Sequence, residues 1–271
     1  GSRRLPIPMK RLITGLILTP FFFWAVTFSP DWFFLATLAA VGLFCYYEFL
    51  GIAAAHFPDL GFDPRRNPAG YLAGLFLLVL PQGEGLFLTL FALLLWILSL
   101  RHRRLAHVLP LTAMAVFGVI YIFGSWRAGV ALRTLNPWWM LFACAINWIG
   151  DTFAYYFGKN FGRHKLAPSL SPGKSWEGTL ASTIGTLALG VWFLSWKFPQ
   201  VGLPQAALLC LAANVSGQVG DLCESAIKRG AGVKDSGNLL PGHGGWLDRV
   251  DSSLFSVPVV YWLLQQRWIL P

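Results

Sequence analysis

PQAALLCLAANVSGQVGDLCESAIK, residues 204–228, decides the architecture of this chain. The segment opens as an apolar helix of the length a bilayer core requires, ~20 residues. It then carries Asn214, Gln218, Asp221, Glu224, Ser225 and Lys228 at steps of three and four, which places them along one stripe of the helix. An ionised side chain at the centre of a membrane helix costs ~2.5–3.5 kcal/mol even on a lenient insertion scale. The stripe therefore turns away from lipid, toward neighbouring helices, water or ions. A hydrogen-bonded seam between helices accounts for Asn214 and Gln218; Asp221 is read as functional.

The rest of the chain agrees with a bilayer as solvent. Its 271 residues are 55% hydrophobic and only 12% charged, with a mean hydropathy of +0.56, far from the balance of a soluble domain. Apolar runs broken by Pro, Gly or basic clusters predict nine helices at 12–29, 32–55, 70–81, 85–100, 109–124, 137–158, 176–197, 204–228 and 250–269. The third and fourth are short for a full crossing and are expected to tilt or re-enter. The fold class is thus an all-α polytopic membrane protein, with scaffold helices in 1–81, a middle pair in 82–135 that offers a dimer interface, and a catalytic region in 136–271. Nine crossings put all of the 21 Lys and Arg on the side of the N-terminus except Arg127, Arg133, Lys197 and Arg267. Basic residues collect on the cytoplasmic side, so the N-terminus and the motif loops are expected to face the cytoplasm from the cell (inner) membrane. The net charge of +9 is then a membrane-surface feature, and no nucleic-acid partner is expected. Cys45, Cys144, Cys210 and Cys223 lie in apolar runs without CxxC spacing, which argues against a metal or disulfide role. The first apolar run lacks a small-residue cleavage site, so no cleavable leader is expected.

Acidic residues cluster late in the chain. Asp151, Glu177, Asp221, Glu224, Asp235, Asp248 and Asp251 are seven of the twelve, and the chemistry is expected among them. Asn147, Asp151 and Tyr155 form a second polar stripe, with Lys159 a turn later. The loop from Gly158 to Gly178 holds Lys159, Arg163, His164, Lys165 and Lys174 ahead of a helix that Ser175 can cap. Such a helix start, with mobile lysines around it, suits a polyphosphate. The GKS triplet at 173–175 is not a P-loop, because that motif needs Gly where Pro168 stands.

The most informative loop is SAIKRGAGVKDSGNLLPGHGGWLDRVD, residues 225–251. Its glycines, Gly244 and Gly245 among them, let backbone approach a ligand, while Lys228, Arg229, Lys234 and Arg249 can neutralise phosphates. Asp248 and Asp251 lie three residues apart at the start of the last helix. If the helix ends converge, they join Asp221 in an all-oxygen site suited to Mg2+. His243 is read as a binding or turn residue, since a phosphate nucleophile is already ionised near neutral pH and needs little deprotonation.

This loop closely resembles the signature of the phosphatidate cytidylyltransferases, also called CDP-diacylglycerol synthases: S-x-I-K-R, then K-D-x-G, L-P-x-H-G-G and D-R-V-D. The resemblance extends through GDTFAYYFGKNFGRHKLAPSLSPGKSWEG (150–178) and VGDLCES (219–225), and it covers the C-terminal half. Trp246 departs from the pattern, where a smaller aliphatic residue is usual, and puts local packing in question. The resemblance implies a homodimeric membrane enzyme with a cytoplasm-facing cavity that holds Mg2+, and beside it a potassium ion, on aspartates. Asp221 and Asp248 are the implied metal ligands, with Asp251 next. Lys228 and Arg229 serve CTP phosphates, and Ser171, Lys174, Ser175 and Glu177, with Lys165, Asp151, Lys234, Asp235, His243, Gly244, Gly245 and Arg249, border the substrates. The implied reaction joins CTP to phosphatidic acid within the bilayer lipid, giving CDP-diacylglycerol and pyrophosphate. A CTP-dependent polyprenol or lipid kinase, or an ion or anion transporter with an intramembrane carboxylate cluster, are the alternatives.

Overall fold

A computed structural model describes residues 7–57, 63–100, 105–240, 244–266 and 269, with side chains from residue 15 onward. It is built almost wholly of helices: α1 (Ile7–Thr27), α2 (Asp31–Ala55), α3 (Pro68–Val79), α4 (Glu84–Ser99), α5 (Val108–Gly118), a π-helical stretch (Val119–Gly124), α6 (Ser125–Leu135), α7 (Pro137–Phe161), α8 (Trp176–Lys197), α9 (Leu203–Gly230) and α10 (Leu247–Leu264). Among the described residues, four helical segments are long and apolar enough to cross a bilayer: Asp31–Ala55, the continuous rod Leu105–Leu135, Trp176–Lys197 and Leu203–Gly230. Shorter apolar helices run over Gly15–Thr27, Pro68–Val79 and Glu84–Ser99. The chain is an all-α membrane protein.

Local chemistry sets the helix starts. Asn67 and Asn136 cap α3 and α7, their side chains accepting from Ala69 N and Trp138 N, and each precedes a proline in the first turn. That pairing is favoured because the missing proline N–H is one the helix start could not satisfy anyway.

Several features differ from the sequence reading, beginning with α1, which starts at Ile7 and ends at Thr27 rather than running over 12–29. The fifth helix does not end at 124 but continues as α6 to Leu135. Arg127 and Arg133 lower the hydropathy there without breaking the helix, and the Arg127 guanidinium donates to Leu80 O at 2.9 Å, at the C-terminal end of α3. The loop 158–178 contains an antiparallel hairpin, β1 (Lys165–Ala167) with β2 (Ser171–Ser175), paired Lys165 to Ser175 and Ala167 to Ser171. The last helix begins at Leu247 and ends at Leu264.

The chain forms two compact units. The first comprises 1–130 together with 230–249. Its core gathers aromatic rings around small residues: Tyr46, Phe49 and Phe123 are buried, and Phe123 fills the space that a side chain on Gly74 would need. Close backbone approach at small residues is the usual way membrane helices pack, since lipid offers no hydrophobic drive between them.

The second unit comprises 131–229 and 250–271. Its α7 packs most extensively on α8. A polar seam runs through it: Ser182 Oγ donates to Asn214 Oδ1 (2.8 Å), Asn214 Nδ2 to Thr183 Oγ1 (3.1 Å), and Asn147 Nδ2 to Ser256 Oγ (2.8 Å). The hydrogen-bonded seam expected for Asn214 and Gln218 is present, Gln218 Nε2 reaching Ser182 Oγ at 3.4 Å. The outward face of α8 carries exposed Leu180, Ile184, Trp192 and Trp196, as a lipid-facing surface should. At its end Lys197 sits over the rings of Trp138 and Trp196, 3.7 and 3.8 Å from their centroids, an arrangement typical of a membrane–water interface.

Candidate active site

In the second unit, the hairpin and three helices bring charge together. Ser175 ends β2 and caps α8, its Oγ accepting from Gly178 N at 3.2 Å, as its position before an apolar run predicts. Lys174, one residue earlier, extends to Asp221 on α9, with Nζ 2.7 Å from Oδ2. Both side chains are roughly a quarter exposed, at 26% and 29%, so the pair is open to exchange with a ligand. Asp251 on α10 is half-buried, and the charges of Asp221, Asp151 and Lys228 all act on it. Its Oδ1 accepts from Ser252 N at 2.7 Å. Lys228 is buried and paired with Glu224 one turn back along α9. Arg229 is exposed, and its Nε donates to Leu170 O of the hairpin turn at 3.3 Å. Asp151 and Lys165 are exposed and Ser171 is half-buried.

Glu177, in the first turn of α8, is engaged with the preceding loop. Its carboxylate accepts from Arg163 N and His164 N, each at 3.2 Å, and lies 2.7 Å from His164 Nδ1. It thus fixes the start of the hairpin.

The signature loop belongs to the first unit as far as Arg249. Asp248, at the start of α10, accepts from Ser236 N on both carboxylate oxygens (3.1 and 3.0 Å) and from Gly245 N (2.8 Å). Gly244 takes φ +79°, a left-handed conformation that glycine adopts without strain, and its carbonyl accepts from Leu240 N at 2.9 Å. Lys234, Asp235 and Arg249 are exposed. His243 lies outside the described residues.

The loop is anchored by a residue that the sequence reading passed over. Glu48, on α2, is 4% exposed. Its Oε1 accepts from Trp246 N (3.1 Å), and its Oε2 from Leu247 N (2.9 Å) and Ser236 Oγ (3.0 Å). Gly237 and Gly245 close over it; a side chain on either would collide with the carboxylate. Trp246, the departure from the motif, stacks on Phe44 of α2, with centroids 5.8 Å apart and planes within 13°. The signal was a lone carboxylate deep in the apolar run 32–55, and an ionisable residue inside a membrane helix is a functional-site hypothesis by default.

Among the described residues, no three His, Cys, Asp or Glu side chains gather as a ready metal-ligand set. Mg2+ commonly needs less from a protein: one or two carboxylates, with water and substrate phosphates supplying the rest. Asp221 and Asp251, close enough that the charge of one acts on the other, offer that donor chemistry.

Residues 9–266 match the model of the cytidylyltransferase family. The chain belongs to that family. It is similar to the phosphatidate cytidylyltransferase of Pseudomonas aeruginosa, at 35% identity over 94% of this chain and 96% of that protein. It is also similar to the enzymes of that name from Bacillus subtilis, at 42% identity over 54% of this chain, and Staphylococcus haemolyticus, at 38% over 57%. Against these two the chain spans little more than half of the relative's length, 55% and 59%.

Proposed function

We propose that this chain transfers the cytidylyl group of CTP to phosphatidic acid, releasing pyrophosphate and leaving CDP-diacylglycerol in the bilayer. The observation that carries the reading is the Lys174–Asp221 pair, set beside a capped helix start and within the family's own motif. A phosphatidate phosphate oxygen bonds to the α-phosphorus of CTP as the bond from that phosphorus to the bridging oxygen of the β-phosphate breaks. The electron pair leaves with pyrophosphate, and no covalent bond to the protein forms.

The protein's work in such a transfer is positioning and charge neutralisation. Lys174, Lys165 and Arg229 are assigned to the phosphates, beside the Ser175-capped start of α8 and its positive dipole end, while Lys228 balances the acidic side of α9. Lys234, Arg249 and His243 are assigned to substrate by their place in the motif, and Asp235, Gly244 and Gly245 to shaping the loop around it. Asp221 and Asp251 would hold Mg2+, and Asp248 is assigned as a ligand from the motif alone. When bound, the cation supplies Lewis-acid stabilisation of phosphoryl oxygens. A potassium ion beside it, a homodimer, nine crossings, and a site open to the cytoplasm from the inner membrane complete the proposal; the distribution of Lys and Arg supports the orientation.

The test uses purified protein in mixed micelles with phosphatidate, Mg2+ and CTP labelled at either the α- or the γ-phosphate. Label should reach lipid from the α-position alone, with equimolar pyrophosphate, and Asp221→Asn should abolish it while the protein stays folded. Transfer only from the γ-position would make the chain a lipid kinase. Ion flux in liposomes without nucleotide consumption would make it a transporter.

A further inference from the structure

We propose that Glu48, on a helix otherwise given over to packing, is the positioning residue of the signature loop and through it of Asp248. The inference rests on the cytidylyl-transfer reading above. α2 contains two charged residues, Asp31 at its first position and Glu48, and Glu48 is buried deeply enough that its carboxylate needs partners in the protein. Among the described residues its hydrogen-bond partners come from the loop: Ser236 Oγ, Trp246 N and Leu247 N. The last two belong to the start of α10, where backbone N–H groups have no partner within the helix. Glu48 therefore caps α10 from another helix.

Ser236 makes the connection to chemistry. Its hydroxyl donates to Glu48, and its backbone N–H donates to both oxygens of Asp248. A shift of Ser236 moves both ends at once. Gly245 repeats the arrangement: its N–H holds Asp248, and its lack of a side chain lets Glu48 lie against it. The loop thus sits between two carboxylates, one buried and structural, the other the Asp248 that the motif assigns to the cation. Glu48 touches no substrate in this scheme; it acts by holding Asp248 in place.

The two oxygens of Glu48 face different backbone donors, Oε1 toward Trp246 N and Oε2 toward Leu247 N. A glutamine there sets its NH2 against one of these N–H groups in either orientation, so Glu48→Gln is nearly isosteric yet loses the clamp. Asp keeps both oxygens on a shorter stem. Loss of a charge-assisted hydrogen bond of this kind corresponds to about 10–100-fold in rate if it is felt wholly at the reacting centre.

The experiment measures kcat and KM for phosphatidate, the thermal midpoint in detergent, and amide exchange of the loop for wild type, Glu48→Gln, Glu48→Asp and Ser236→Ala. The expected result is a kcat about 10–100-fold lower for Glu48→Gln at a KM within about threefold, partial recovery in Glu48→Asp, and faster exchange confined to 236–247. A Glu48→Gln enzyme with wild-type kcat overturns the proposal. If Glu48→Gln fails to fold, Ser236→Ala decides: a fall in kcat at an unchanged midpoint supports the link to Asp248, and wild-type kcat removes it. If wild type itself makes no CDP-lipid, the functional reading fails. The anchor is then judged by exchange alone, and unchanged exchange in Glu48→Gln overturns it.

Discussion

Gly150→Ala tests whether the close approach of α7 to its neighbours organises the second unit. A Cβ at this position would lie 2.6 Å from Ser182 Oγ and 2.8 Å from Asn214 Oδ1, the two atoms joined by the 2.8 Å hydrogen bond of the polar seam. Both side chains are short and buried, at 1% and 2% exposure, so neither clears the methyl without breaking that bond. Overpacking of this kind costs ~1–3 kcal/mol, and an interhelical hydrogen bond in a membrane protein is worth ~0.6 kcal/mol on average and ~1.7 at most. Alanine returns ~0.8–1.0 kcal/mol through its better helix propensity. The balance is a loss of about 1–4 kcal/mol, which at ~2–4 °C per kcal/mol for a chain this size is on the order of 2–15 °C in thermal midpoint. Gly85→Ala is the control, because nothing lies within 4 Å of a Cβ there, and it should match or slightly exceed wild type. The assay is thermal unfolding in detergent, followed by a tryptophan or thiol-reactive probe. A Gly150→Ala midpoint equal to that of Gly85→Ala would refute the reasoning, since it would mean that the helices separate freely at this crossing.

Lys174→Met should lower kcat/KM for CTP by about 10–100-fold, the range for a charge-assisted contact, and added salt should depress the wild-type rate more than the variant's. Trp246→Ala should cost about 0.5–1.5 kcal/mol from the lost stacking on Phe44 alone, read as a lower midpoint, and Trp246→Leu should recover part of it. The Asp63 carboxyl accepts from Arg65 N and Nε, and the side-chain hydrogen bond from Arg65 holds it below its ordinary value of 3.8. A depressed folded-state value means that this contact stabilises fully above the unfolded-state value and is lost as pH falls through the folded one. Asp63→Asn should accordingly lower stability near neutrality, where the contact is fully formed, and converge on wild type as pH falls through the folded-state value, as equilibrium unfolding at a series of pH values will show.

Sequence pattern made much of this legible because a bilayer leaves little choice: apolar runs must be helices, and polar stripes must face inward. The α8 and α9 boundaries fall within two residues of their predicted ends, and Ser175 caps as its position demands. The hairpin Lys165–Ser175 was not legible, because its strands are three and five residues long and carry Pro172 and Gly173, too short and irregular for alternation to register. The extension through α6 was hidden by Arg127 and Arg133, whose charges read as a loop until a carbonyl partner is seen for Arg127. Glu48 was missed for a different reason. Two of its three partners are backbone N–H groups, which leave no trace in a residue pattern, and the third, the Ser236 hydroxyl, lies 188 positions away. Tyr46 and Phe49, packed beside it in the chain, made the whole run look like filler.

The anchor also has a temporal side. Glu48 and Ser236 are 188 positions apart, which at ~5–20 residues per second puts roughly 10–40 s between their emergence from the ribosome. Throughout that interval the newly made α2 carries a carboxylate whose donors Ser236, Trp246 and Leu247 have not yet been synthesised. Insertion of the early helices must therefore proceed with water, lipid headgroups or the insertion machinery in attendance on that one side chain, and the final fit is reached only near the end of translation.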